Sequence, residues 1–351
     1  MPEDYTTLAA LLAHGYDDVI DVRSPAEFAE DHVPGAINLP ALSNEERARV
    51  GTIYTQVAPF EARKTGAALV ARNVAQHLET ELADRDGAWQ PLVYCWRGGQ
   101  RSGSVATILR AVGWRTETVS GGYQTYRRLV HAMLYDVPLT HRVILLDGYT
   151  GTAKTDLLHR LRGLGVQVLD LEGLAGHRGS ILGGTAADQP SQKAFESALA
   201  CRLLDLDPGR PVVLEAESSK IGDRIIPPIL WAAMKDAPRI VIDAPLAARA
   251  AYLVEAYADI IARKNDLEDR LRVLTRHRGR AVVDGWLALL EAGNHAGLAR
   301  ALMQDHYDPS YAKSRAARAH PVLAEVEAQS LTSTDRDALA ARIAEAVKSA
   351  G

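Results

Sequence analysis

Short apolar runs that end in polar residues recur along this chain, and between them the apolar positions switch to helical spacing. Asp18-Val19-Ile20-Asp21-Val22-Arg23, Pro91-Leu92-Val93-Tyr94 and Thr116 to Val119 read as strands in the first part of the chain. Arg142-Val143-Ile144-Leu145-Leu146-Asp147, Pro211-Val212-Val213-Leu214-Glu215 and Arg239-Ile240-Val241-Ile242-Asp243 read as strands in the second. One helix is predicted to start at Ser24, with Ser24 as N-cap, Pro25 as first helical residue and Glu27 as return partner of a capping box. Others are predicted over Ser102 to Val112 and after Lys154, where Leu157, Leu158 and Leu161 share a face. Alternating strands and helices predict an α/β architecture with mostly parallel sheets, whose ligands sit at the carboxyl ends of the strands. Pro138 interrupts the pattern between Leu134 and Leu139, dividing the chain into residues 1–136 and 137–351.

A chain of 351 residues is long enough for two such cores, and 47% apolar with 24% charged residues is the composition of an ordinary globular protein. No run of about 18 apolar residues predicts a membrane span, and the acidic start Met1-Pro2-Glu3-Asp4-Tyr5 does not resemble a secretory signal, so a cytoplasmic location is expected. The only cysteines, Cys95 and Cys201, are too few for a disulfide framework or a structural zinc site. A net charge of -4 argues against a uniformly basic nucleic-acid binder but leaves room for a local basic face.

Within this frame two loops carry chemistry. Cys95-Trp96-Arg97-Gly98-Gly99-Gln100-Arg101-Ser102 follows a strand, so the thiol is delivered into a tight loop whose N–H groups can cradle an anion. Arg101 and the start of the next helix would both draw the thiol toward thiolate. Gly148-Tyr149-Thr150-Gly151-Thr152-Ala153-Lys154-Thr155, between a strand and a helix, is a phosphate-binding loop of the Walker A kind. Gly148, Thr150, Gly151 and Thr152 supply the loop, Lys154 neutralises charge, and Thr155 is the expected ligand for Mg²⁺. Ala153 stands where the pattern has glycine, which requires a negative φ at that position if the methyl is not to be strained. Glu215 or Glu217, after the Pro211 strand, is expected to act as the acid beside the phosphates, with Asp243 as a second candidate. Arg178 and Ser180, in the glycine-rich segment Gly176-His177-Arg178-Gly179-Ser180, are expected to contact anions. From Arg263 to Arg280 seven basic residues face three acidic ones, a local charge of +4 suited to a phosphate backbone. The second domain is thus expected to end in a helical, partly basic region.

Asp21-Val22-Arg23, the His32-x-Pro34-Gly35-Ala36 turn, the Cys95 loop and Gly121-Gly122-Tyr123 resemble a rhodanese domain. The resemblance implies that Cys95 carries sulfur or selenium. The five residues between Cys95 and Arg101 also match the spacing of cysteine-dependent phosphatases, although Tyr94 replaces their usual histidine. Together with the phosphate loop, Asp170-Leu171-Glu172-Gly173, Glu215-x-Glu217-Ser218, Val50-Gly51-Thr52-Ile53-Tyr54 and Gln189-Pro190-Ser191-Gln192 are similar to the tRNA 2-selenouridine synthase family over nearly the full chain. A rhodanese-like domain followed by a P-loop NTPase-like domain is the fold this implies. The activity it implies is replacement of sulfur by selenium at C2 of wobble 2-thiouridine in tRNAs for Lys, Glu and Gln. Selenophosphate from a separate supplier is the implied donor, and geranyl diphosphate the alkyl donor for an S-geranyl intermediate. Cys95 would deliver or stabilise selenium, with Arg97 and Arg101 holding the donor's phosphate; ATP and geranyl diphosphate both stay open as occupants of the Lys154 loop. A rhodanese sulfurtransferase fused to an ATP-dependent kinase-like domain is the alternative, and the sequence carries no signal of oligomeric state.

Overall fold

The computed structural model describes residues 2–179, 188–316 and 321–350, which divide into two α/β units. The first comprises residues 1–137 together with 190–204. Its sheet has the order β2-β1-β3-β4, all parallel, from β1 (Asp18–Asp21), β2 (Ile37–Asn38), β3 (Pro91–Tyr94) and β4 (Glu117–Thr118). Strand β3 is buried throughout, because both of its faces are covered, and its four residues are therefore apolar or, as Tyr94, paired. Pro25–Glu30 is the predicted capped helix: Glu27 Oε2 accepts from Ser24 N at 3.1 Å, and Pro25 occupies the first helical turn. A helical hairpin over Asn44–Gln56 and Pro59–Glu79 was not drawn from the pattern; Ser43 and Glu46 cap its first arm reciprocally.

The helix Gln192–Leu204 lies by sequence inside the second segment, yet it packs with the first unit. Polar pairs hold it there. Glu196 accepts from Tyr135 Oη at 2.7 Å and pairs with Arg127, and Ser197 Oγ donates to Asp31 Oδ2 at 3.0 Å. Leaving those buried carboxylates unpaired would cost about 1–3 kcal/mol each, which fixes the helix against the first unit whatever its place in the chain.

The second unit holds β5 (Val143–Gly148), β6 (Gln167–Leu169), β7 (Val212–Glu215), the short antiparallel pair β8 (Lys220–Ile221) and β9 (Arg224–Ile225), β10 (Arg239–Asp243) and β11 (Val322–Glu327). Its main sheet is parallel, in the order β11-β10-β5-β7-β6. The central strand β5 is buried at every position, and Leu157, Leu158 and Leu161 of the next helix pack on the sheet with Leu339, Ile343 and Val347. A separate core gathers Ile260, Leu267, Leu271, Trp286, Leu298 and Leu302 in the helical region after β10. No helix among the described residues is long and apolar enough to cross a membrane.

Candidate active site

In the first unit, Cys95 follows β3 and is buried. Its Sγ lies 3.3 Å from the Gly99 N–H and 3.2 Å from Ser102 Oγ, both donors. Burial opposes ionisation of the thiol, but these hydrogen bonds and the Arg101 charge outweigh it and bring the pKa below the ordinary thiol value. Gly122 closes the loop from the other side. It has φ +57, and a Cβ there would stand 2.2 Å from the Cys95 carbonyl oxygen.

The motif residues Asp21, Arg23 and Tyr123 explain one another in space. Arg23 pairs with Asp21 at 2.6 Å and its guanidinium lies 3.9 Å from the centre of the Tyr123 ring, which in turn stacks on Trp96. Tyr94, at the position where phosphatases carry histidine, donates to Asp21 Oδ2 at 2.7 Å and accepts from Val33 N at 3.1 Å. It therefore anchors the strand that presents Cys95. Arg97 is exposed beside the loop, whereas Arg101 is paired with Glu27 at 2.9 Å. Glu27 also pairs with Arg47, so the carboxylate that caps the Pro25 helix orients the loop arginine as well.

In the second unit the phosphate loop joins β5 to the helix Lys154–Gly163, and a cavity of about 340 Å³ opens over it. Thr150, Gly151, Thr152, Lys154, Thr155 and Arg178 all contribute to its lining; Gly148 does not, but its carbonyl accepts from Lys154 Nζ at 2.9 Å. Ala153 has φ +61, the only positive φ on a non-glycine residue among the described ones, so the negative φ that would spare its methyl from strain is not adopted. The loop keeps the backbone that glycine would adopt, because its N–H groups must turn toward the cavity to form an anion site, and the chain bears the strain of the methyl. Burial opposes the charge of Lys154, but Tyr311, Glu217, Glu172 and Asp147 outweigh it and hold its pKa above the usual lysine value.

The acids beside the loop are arranged differently from the expectation. Glu172 lines the cavity and accepts from Thr155 Oγ1 at 3.0 Å. Neither Glu215 nor Glu217 is among the described lining residues. Glu215 is fully buried: Oε2 accepts from Leu171 N at 3.1 Å, Oε1 has no hydrogen-bond partner, and burial followed by Asp170 and Glu172 pushes its pKa well up. Glu217 is likewise raised, by burial and by the neighbouring Glu172, and Glu172 is itself raised by burial. Asp243 is exposed at the end of β10. Thr155 and Glu172 could each offer an oxygen to a phosphate-bound Mg²⁺; among the described residues no group of three or more His, Cys, Asp or Glu has ligating geometry, so the phosphates would supply much of its shell.

Arg178 lines the cavity, pairs with Asp259 at 3.1 Å and lies 5.1 Å from the Tyr257 ring centre; Ser180 lies outside the described residues. Tyr311, Tyr257 and Arg249 complete the surroundings; Tyr257 and Arg249 carried no signal in the sequence, since each is a lone residue in a helical stretch. Glu172 did stand in the segment Asp170-Leu171-Glu172-Gly173. Part of the basic stretch is paired with acids, Arg263 with Asp259 and Asp266, Arg272 with Glu268 and Arg280 with Asp284, and Arg278 donates to His306 Nδ1. Gly279 also breaks it into separate helices.

Comparison with known proteins agrees with this two-part arrangement. Residues 4–129 match the rhodanese-like domain, and residues 141–279 match the tRNA 2-selenouridine synthase AAA domain. Proteins named tRNA 2-selenouridine synthase include one from Hahella chejuensis, 33% identical over 87% of this chain and 87% of its own length. Another, from Cupriavidus pinatubonensis, is 32% identical over 91% of this chain and 94% of its length. A third, from Nitrosomonas europaea, is 37% identical over 68% of this chain and 63% of its own length. With both sites built and relatives matched along nearly the whole length, the chain belongs to the tRNA 2-selenouridine synthase family.

Proposed function

We propose that this protein replaces sulfur by selenium at C2 of wobble 2-thiouridine in tRNAs for Lys, Glu and Gln, using geranyl diphosphate to activate the base and selenophosphate to supply selenium. The observation that carries this reading is the coexistence in one chain of a thiol held toward ionisation by Gly99 and Ser102 and a phosphate loop with a charged lysine.

The chemistry has two steps, one for each loop. A thiocarbonyl sulfur is a poor leaving group. When it attacks C1 of the geranyl group, the C–O bond to diphosphate breaks, N3 loses its proton, and C2 carries a thioether. Lys154 and the loop N–H groups stabilise the charge that develops on the departing diphosphate. Selenium in selenophosphate is already at the selenide level. It bonds to C2 as the C–S bond breaks and geranyl thiol leaves with a proton; water then cleaves the P–Se bond, releasing phosphate. No oxidant or reductant is consumed. The Cys95 loop, with the Gly99 N–H and the Ser102 hydroxyl at the thiol and exposed Arg97 beside it, is the place for the anionic selenium donor.

The test is mass spectrometry of tRNA nucleosides after incubation with the full chain and selenophosphate, with and without geranyl diphosphate. The expected result is 2-selenouridine only when both are present, and S-geranyl-2-thiouridine when selenophosphate is withheld. Selenouridine formed equally without geranyl diphosphate would remove the activation step.

A further inference from the structure

A groove of about 490 Å³ lies in the first unit, between the helical hairpin Asn44–Gln56 and Pro59–Glu79 and the helix Gln100–Val112. Its volume is within the range of about 300–1,000 Å³ that small organic groups occupy. Buried Leu42, Ala62 and Val70 give it an apolar floor. Exposed residues of three kinds stand around that floor. Tyr54 is an aromatic ring 58% exposed, Gln100 and Ser104 carry an amide and a hydroxyl, and Arg63 donates to the neutral carbonyl of Pro59.

The groove is tied to the thiol through one helix. Gln100 and Arg101 line it and are also the first two residues of the helix whose start supplies the Gly99 N–H and the Ser102 hydroxyl to Cys95 Sγ. Tyr54 ends the segment Val50-Gly51-Thr52-Ile53-Tyr54, which neither the thiol loop nor the phosphate loop uses.

These walls suit an unpaired nucleotide. Every base has a π face that can stack on an exposed tyrosine, and the splayed bases of RNA loops are commonly held in that way. An amide and a hydroxyl meet the donors and acceptors of a base edge, and a guanidinium meets a phosphate. A hydrocarbon ligand would desolvate the same polar groups without replacing their hydrogen bonds.

We infer that this groove seats an unpaired tRNA nucleotide adjoining the one that reacts, its base stacked on Tyr54 and its edge met by Gln100 and Ser104. A neighbour held against the helix that begins at Gln100 keeps the reacting base at the loop just before it. The inference rests on tRNA being the substrate, and it adds the surface on which the first unit holds the RNA.

The probe is a fluorescein-labelled anticodon stem-loop carrying 2-thiouridine, titrated by anisotropy at one fixed salt concentration against the full chain and three variants. Tyr54→Ala should raise its Kd at least about fivefold, the loss expected when one base loses its stacking partner. Tyr54→Phe keeps the ring and should stay within about twofold of wild type. Val57 is 72% exposed on the same hairpin but does not line the groove, so Val57→Ala should also stay within about twofold. Tyr54 is exposed, so its loss removes no core packing. Wild-type affinity in Tyr54→Ala overturns the inference, as does an equal loss in Val57→Ala. Its failure is separable from that of the proposed function. Selenouridine formed by Tyr54→Ala with the wild-type KM for tRNA sinks the groove alone. Tyr54-dependent binding of the stem-loop without any selenouridine product sinks the reaction and leaves the groove.

Discussion

Arg249 donates to both carboxylate oxygens of Asp308, at 3.0 and 2.9 Å, and its Nη1 also donates to the carbonyl of Thr150 in the phosphate loop at 3.1 Å. One buried guanidinium thereby ties the loop to the helix Asp308–Ala316, which brings Tyr311 to the phosphate cavity, its ring centre 5.5 Å from Lys154 Nζ. Only a planar fork can serve these acceptors together.

Removing the acid strands that charge. Asp308→Ala is expected to cost roughly 3 kcal/mol of stability in urea unfolding, since the arginine stays buried without its partner. Arg249→Lys should also destabilise and should weaken diphosphate binding through the freed Thr150 carbonyl. An Asp308→Ala protein within 0.5 kcal/mol of wild type, on the order of an ordinary surface change, would show that the pair does not brace the loop.

Ser102 is the adjustable part of the thiol site. In Ser102→Ala the side-chain hydrogen bond that favours thiolate is lost while burial remains, so the pKa of Cys95 should rise. The check is the rate of Cys95 alkylation by iodoacetamide against pH, whose midpoint should lie below that of an ordinary thiol in wild type and move upward in the variant. Cys95→Ala should end selenation while S-geranyl-tRNA still forms; surviving selenation would take the selenium role away from this residue.

Ala153→Gly removes the Cβ from a left-handed position, φ +61, where an L side chain costs about 1–2 kcal/mol. Glycine gives back about 0.4–1 kcal/mol through the greater freedom of the unfolded chain. A net gain of about 0.5–1 kcal/mol is expected in the melting or urea midpoint. Loss of stability would mean that the alanine methyl, which is buried, contributes packing that outweighs its strain.

Glu215 makes stability depend on pH in the direction opposite to most carboxylates. Burial raises its pKa in the folded protein, so the folded state holds a proton that the unfolded chain has released above about pH 4.3. Its contribution is complete below that pH and declines as pH rises toward the raised folded value. Glu215→Gln keeps an acceptor for Leu171 N and has no charge to bury. The variant should therefore gain on wild type as pH rises through that window in urea titrations; a constant difference at every pH would place the carboxyl in an environment that solvates it.

Much of both sites was legible in the chain because it depends on local order. A strand that ends in Cys95-x-x-Gly98-Gly99, or in a glycine loop followed by Lys154-Thr155, presents its groups through backbone geometry that neighbouring residues dictate, and the capping box at Ser24 and Glu27 is equally local. Strands β3, β5, β7 and β10 fell where the apolar runs stood, within a residue or two at their ends. Partnerships across the fold were not legible. Arg101 meets Glu27 rather than standing free, Glu172 rather than Glu215 reaches the phosphate cavity, and the helix Gln192–Leu204 joins the first unit. Each of these was decided by which buried charges could find partners, and that depends on residues 17 to 166 positions away. Ala153 shows the same division at one residue. Its side chain argues for a negative φ, but the loop that must turn its amides to an anion is built by strand, helix and Arg249 together, and their combined packing outweighs the preference of a single methyl.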